Sequence, residues 1–185
     1  MKIDRILLDM DGVVVHHFVD LGRAAGIDVS RETWPLGKDG IKAITGMSKE
    51  EFVPKILAGG ADLWANMQPF PWFRSFYAAL EAIAPVYYLS APEYGPGCVA
   101  GKVRWLEAMH GAGFDRFMLT YHKDLCAAPE HLLVDDTQKN VDSFIANGGQ
   151  AVLFHQPWNG HMHPHPDQLC LQQIDEILNG RQLSA

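Results

Sequence analysis

The chain has 185 residues, 48% hydrophobic and 20% charged, with a formal charge of −7. That composition is globular rather than disordered or fibrous, and the length suits one domain with room for a modest insertion. No apolar run approaches the ~20 residues that span a bilayer, and net acidity argues against a nucleic-acid polymer as partner, since that backbone wants clustered Lys and Arg.

The opening MKIDRILLDMDG has no secretory layout. Cys98, Cys126 and Cys170 are odd in number and unrelated in spacing. They point to reduced thiols in a cytoplasmic protein, not to a disulfide framework. A small phosphorylated ligand remains compatible with the acidic charge, because a pocket can be locally positive.

Five short apolar segments bounded by turn residues read as buried strands: Arg5–Leu8, Val86–Leu89, Arg116–Leu119, His131–Val134 and Ala151–Phe154. Between the first two lie more than seventy residues, far beyond one crossover helix. This segment opens with HHFVDLGRAAG, a short helix closed by Gly26. Ser48 followed by Glu51 in SKEEFVPKIL is a capping box for another helix, with Pro54 in or just past its first turn. Residues 14–69 are therefore expected to be a helical cap inserted into a core of residues 1–13 and 70–185. In PWFRSFYAALEAI, apolar side chains recur at helical spacing. GKVRWLEAMHGAG and QKNVDSFIANGG repeat the pattern and end on glycines. Strands alternating with helices predict an α/β fold with a parallel sheet covered on both faces.

The acids fall at strand ends. Asp9 and Asp11 follow the first strand, Ser90 the second, Lys123 the third, and Asp135 and Asp136 the fourth. In a parallel sheet all these ends share one edge, where ligands bind. Turn chemistry accounts for a lone DxDG, and Gly12 comes too early for a calcium-binding EF-hand loop. Turns do not account for the whole set. Four carboxylates in one crevice need a positive partner, and Mg2+ with its preference for oxygen ligands is the expected one. Asp9 can then attack phosphorus, and Asp11 can protonate the leaving oxygen and activate water. Ser90 and Lys123 can hold the transferring group.

LLDMDGVV, YYLSAP, LTYHK and LLVDDTQKN together resemble the four motifs of the haloacid dehalogenase superfamily of phosphatases, over roughly residues 3 to 155. The resemblance implies a HAD-like Rossmannoid fold, with Asp9 as nucleophile, Asp11 as general acid and base, and Ser90 and Lys123 on the phosphoryl group. It implies Mg2+ on Asp9, the Asp11 carbonyl and the Asp135–Asp136 pair, with Asp136 favoured as direct ligand and Asn140 behind it. The acid at position 11 sets the chain apart from members with dehalogenase chemistry.

Within the superfamily the DMDGV opening, the cap directly after it, and Lys102 a dozen residues beyond Ser90 are similar to the 5'(3')-deoxyribonucleotidases. That likeness implies Lys102 as a further phosphate contact and aromatic side chains (Trp64, with Phe18 or Trp34) against a nucleobase. Large aromatics at helical spacing are also ordinary core material. The His-rich tail and LSAP, in place of a TSP-like segment, depart from the pattern.

The function expected is thus a Mg2+-dependent hydrolase of phosphoric monoesters acting on a small deoxyribonucleoside monophosphate. Two alternatives stay open: the same chemistry, or phosphate transfer to an acceptor, on a sugar phosphate or other small organic phosphate; and a non-catalytic phosphate-binding domain. A homodimer is left open as well. In HQPWNGHMHPHP, His155, His161, His163 and His165 could hold Zn2+ or Ni2+, although exposed loops often carry histidine. His16 and His17 lie where the chain enters the cap and are given no role.

Overall fold

The computed structural model describes residues 2–38, 40 and 44–180. Its centre is a sheet of five parallel strands: β1 (Arg5–Leu8), β2 (Val86–Ser90), β3 (Phe117–Leu119), β4 (His131–Asp135) and β5 (Gln150–Leu153). Their order is β3-β2-β1-β4-β5. Each strand matches a segment expected from the sequence, with ends moved by at most one residue. The helices are α1 (His17–Ala24), α2 (Lys49–Ala58), α3 (Gly60–Ala65), α4 (Phe73–Glu81), α5 (Pro96–His110), α6 (Gln138–Ala146) and α7 (Pro166–Leu178).

The strands read as unbroken apolar runs because both faces of the sheet are covered. Ile6, Leu8, Val86, Tyr88, Leu132 and Val134 face one way, into a core shared with Phe76 and Leu80 of α4, Trp105 of α5 and Ile174 of α7. Leu7, Leu89, Leu133 and Ala151 face the other way, against Val141 and Phe144 of α6. Leu7 and Leu8 are both fully buried, and each such side chain stabilises the fold by roughly 1.5–3 kcal/mol. The helix α7 lay outside the sequence expectation, which stopped at the histidines. Pro166 opens it, in the first turn where proline's missing N–H costs nothing, and it buries Cys170, Ile174 and Ile177.

The long segment between β1 and β2 begins and ends at one place. Val15 bridges Pro69, His16 N–H donates to the Gln68 carbonyl at 2.9 Å, and Phe70 N–H to the Val14 carbonyl at 2.9 Å. The expected capping box opens α2: Ser48 Oγ accepts from Glu51 N–H at 3.3 Å, and Glu51 Oε2 accepts from Ser48 N–H at 2.8 Å. Pro54 is accommodated inside this helix. The next helix, α3, lies hard against α5, which is possible because α5 presents Gly101 there. A Cβ at Gly101 would stand 2.4 Å from both the Ala61 carbonyl oxygen and Trp64 Cβ. Among the described residues no helix is long and apolar enough to cross a membrane.

The register places the acids. Leu8 lies opposite both Tyr88 and Val134, and Ser90 opposite Leu119. The residues that follow these positions therefore emerge together from one edge of the sheet.

Candidate active site

Directly after β1 the chain turns tightly, with the N–H groups of Val13, Val14 and Val15 all donating to the Met10 carbonyl. Gly12 makes the turn possible. It sits at φ +73°, and a Cβ there would lie 1.9 Å from Asp136 Oδ2. Only glycine allows the β1 turn to approach the end of β4 this closely.

Lys123, buried in a single helical turn after β3, bridges two acids. Its Nζ lies 2.9 Å from Asp9 Oδ1 and 2.6 Å from Asp135 Oδ2. Asp135 is enclosed and its oxygens are committed, accepting also from Thr137 N–H at 2.8 Å and from Asn140 Nδ2 at 3.1 Å. Asp136 instead lines an open cavity; its Oδ2 accepts from the Trp158 indole N–H and its Oδ1 from Thr137 Oγ1 at 3.4 Å. One oxygen each from Asp9, Asp135 and Asp136 lies within 4.8 Å of the others.

On the β2 side, Lys102 from α5 is as buried as an apolar residue, at 1% exposure. Its ammonium donates to Asp11 Oδ2 at 2.5 Å, to Ser90 Oγ at 2.8 Å and to the Ala91 carbonyl at 2.8 Å. His17, the first residue of α1, approaches Asp11 from the segment between β1 and β2, Nδ1 to Oδ1 3.4 Å, and its Nε2 stands 3.7 Å from Glu93.

These neighbours separate the acids electrically. Burial pushes the Asp9 carboxyl up to about 6, with Lys123 opposing and Asp135 and Asp11 adding to it. Burial acts on Asp11 too, yet the charges of Lys102 and His17 outweigh it and hold its carboxyl below the ordinary range. Asp136 is raised well above that range by burial and by the charges of Asp135 and Asp9, with the Trp158 hydrogen bond pulling the other way. Burial works against the charge on Lys123, but Asp9 and Asp135 win and raise it.

The cavity has a volume of about 580 Å³ and is lined by Asp9, Asp11, Lys123 and Asp136 together with His17, Phe18, Glu93, Tyr94, Lys139 and Trp158. Of the residues expected to contact phosphate, Lys123 faces the cavity, whereas Ser90 and Lys102 stand behind its wall. Of the aromatics expected against a substrate, Phe18 lines it. Trp34 is buried behind Phe18, stacked at 5.2 Å, and Trp64 is buried beside Tyr94 and His17. Both tryptophans fill core: Trp64 lies on α3, and Trp34, in a turn rather than a helix, packs on Phe18 and Trp158. Sequence reasoning passed over Glu93, Tyr94 and Trp158, which sit in loops without periodic signal, and left His17 without a role.

The donor set fits a hard divalent cation. All the donors are oxygens, and Asp136 and Asp9 are held in the uncomfortable proximity that such an ion relieves.

No family model matches the chain, and no curated protein sequence matches it. Solved structures do resemble it. A haloacid dehalogenase-like family hydrolase from Xanthomonas campestris superposes with a TM-score of 0.59 at 13% identity, covering 98% of this chain and 99% of that one. A HAD-superfamily hydrolase of subfamily IA from Geobacter sulfurreducens gives 0.56 at 15% identity, covering 95% and 96%. A HAD family hydrolase from Deinococcus radiodurans, with bound phosphate and sodium, gives 0.52 at 14%, covering 88% and 84%. The chain has the Rossmann-like α/β fold of the haloacid dehalogenase-like hydrolases.

Proposed function

We propose that this chain is a Mg2+-dependent phosphomonoesterase of the haloacid dehalogenase superfamily, acting on a small deoxyribonucleoside monophosphate through a phosphoryl group carried on Asp9. The observation that supports it most is the convergence of Asp9, Asp135 and Asp136 within 4.8 Å, beside Lys123 and an open cavity. Asp9, Asp136 and the backbone carbonyl of Asp11 would hold the cation, with Asp135 supporting from behind. When bound, the cation neutralises charge on the phosphoryl oxygens and keeps Asp9 ionised.

The remaining work belongs to side chains. Asp9 forms a bond from a carboxylate oxygen to phosphorus while the ester P–O bond breaks. The substrate, bound as its monoanion, supplies a proton that Asp11 relays to the departing alcohol oxygen; Asp11, ionised again, then takes one from the water that attacks phosphorus and frees Asp9. Lys102 and His17 hold Asp11 ionised in the resting site, the form the second half requires. Lys123 balances the charge of Asp9 and of the transferring group. Lys102 contributes by fixing Asp11 and Ser90 rather than by reaching into the cavity.

Phe18 and Trp158 offer aromatic surface for a nucleobase. A second reading, a sugar phosphate or similar polyhydroxylated ester, is favoured by the withdrawal of Trp34 and Trp64 from the cavity and by the presence of Glu93, an acceptor for hydroxyl groups. A cytoplasmic setting fits the free thiols of Cys98, Cys126 and Cys170. Phosphate release from a panel of 5'- and 3'-nucleotides and sugar phosphates, with Mg2+ and with chelator, tests the proposal. Metal-dependent turnover of deoxyribonucleotides supports it. Preference for sugar phosphates moves the assignment to the second reading, and tight phosphate binding with no turnover would identify a non-catalytic domain.

A further inference from the structure

Beyond β5 the chain forms a single helical turn, Pro157–Asn159, whose position between cap and core has a consequence for metal binding. Asn159 pins it: its Nδ2 donates to the Asp136 carbonyl at 2.7 Å and to the Phe154 carbonyl at 2.9 Å, and its Oδ1 accepts from Gln156 N–H at 3.0 Å. Gln156, fully buried, donates to the Gly12 carbonyl and accepts from Arg31 Nε of the cap at 2.7 Å. The Pro157 carbonyl accepts from Gly37 N–H, also of the cap, at 2.8 Å.

Trp158 is thereby held on both sides. Its indole N–H donates to Asp136 Oδ2, and its ring packs edge-on against Phe18 at 5.2 Å and Trp34 at 5.7 Å. A carboxylate that offers one oxygen to a cation can rotate about its Cβ–Cγ bond. A donor fixed on the other oxygen removes that freedom and keeps the first oxygen pointed at the ion.

We propose that Trp158 is a positioning residue for metal binding at Asp136, and that the cap reaches the metal site through the packing of Phe18 and Trp34 on this one indole. The proposal rests on the metal-dependent reading given above. It makes Trp34, which does not line the cavity, a contributor to metal affinity. It also makes cap seating and metal binding mutually reinforcing, since any contact that favours one must favour the other.

The test is direct Mn2+ binding to the full chain, followed by the electron paramagnetic resonance of the free ion and requiring no turnover. Trp158→Phe keeps the aromatic packing and deletes the N–H, so Mn2+ affinity is expected to fall about 10–100-fold, with the melting temperature of the metal-free protein little changed. In an Asp136→Ala background the same substitution should add nothing, because the partner it acts through is gone. Trp34→Leu should weaken Mn2+ binding in the same direction by a smaller factor.

Equal affinity for the wild type and Trp158→Phe, or the same loss in both backgrounds, would overturn the inference and leave the phosphatase reading standing. A wild-type protein that binds no Mn2+ at all would overturn both. A measurement on the unsubstituted chain guards against a variant that does not fold. Of its five tryptophans, one indole N–H resonance should shift on Mg2+ addition, and the absence of any such shift contradicts the proposal.

Discussion

Lys102 Nζ lies 2.5 Å from Asp11 Oδ2, a buried ion pair joining the first turn after β1 to the middle of α5. Removing one partner of such a pair leaves the other buried without its counter-charge, at a cost of roughly 3–5 kcal/mol. Lys102→Met should lower the melting temperature by roughly 6–20 °C, at about 2–4 °C per kcal/mol for a chain of this size. It should also reduce kcat/KM by at least about 100-fold, since Asp11 loses the group that orients it. Adding Asp11→Asn to Lys102→Met should restore much of the melting temperature and none of the activity. A thermal melt of the three proteins decides the point.

His110, at the end of α5, gives a pH dependence away from the site. Its Nε2 lies 2.9 Å from Tyr88 Oη, and its ring packs on Tyr77 at 4.6 Å and Phe114 at 4.4 Å. Burial, helped by Arg116 and Arg74, pushes its pKa below 6.5. A folded-state value below the unfolded one means that this stabilisation is complete above pH 6.5 and is lost as the pH falls below it. Melting between about pH 7.5 and 5.5 should therefore show a drop that is smaller in His110→Gln. An equal drop in both proteins would place the acid sensitivity elsewhere.

The seat of α3 on α5 depends on Gly101. Alanine there would gain roughly 1 kcal/mol of helix propensity, yet its Cβ would stand 2.4 Å from backbone and side-chain atoms of α3. Overpacking of this kind typically costs about 1–3 kcal/mol, so Gly101→Ala should lower the melting temperature despite the better helix former. A rise would show that α3 gives way freely.

Crowded carboxylates predict an inverse effect of metal. In chelator Asp136 is a buried acid whose ionised form is opposed by burial and by Asp135 and Asp9. Asp136→Asn should therefore melt several degrees higher than the wild type in chelator, at about 2–4 °C per kcal/mol of relieved repulsion. Mg2+ should raise the melting temperature of the wild type and scarcely move the variant. Calorimetry with and without Mg2+ measures both.

Asp9, Asp11, Lys123 and Asp136 were legible because strand ends are: three apolar runs ending in polar residues must deliver them to one edge of a parallel sheet. The capping box at Ser48 was legible for the same local reason. What the sequence could not settle was which polar or aromatic side chain meets the cavity. Lys102 looks like a phosphate ligand by position, but its ammonium is taken up by Asp11, Ser90 and the Ala91 carbonyl. Trp64 satisfies helical spacing equally well as pocket or as core, Trp34 lies in a turn that offers no spacing to read, and only packing decides for core. Trp158 sits in an aperiodic loop after the last strand, so its bond to Asp136 depends on tertiary placement that no local pattern encodes. The apolar spacing of α7 is present in PDQLCLQQIDEIL, directly after a histidine- and proline-rich run that carries no helical period.

The claim on which the mechanism stands is that Asp9 carries the phosphoryl group. In Asp11→Asn, p-nitrophenyl phosphate should still load Asp9, because its leaving group needs little help from an acid, while release to water stalls for want of a base. Mass spectrometry of the acid-quenched protein should then find one added phosphoryl group on the peptide containing Asp9, dependent on Mg2+ and missing from Asp9→Asn. Turnover by Asp9→Asn at the wild-type rate, or phosphoryl transfer to a different residue, would contradict the account.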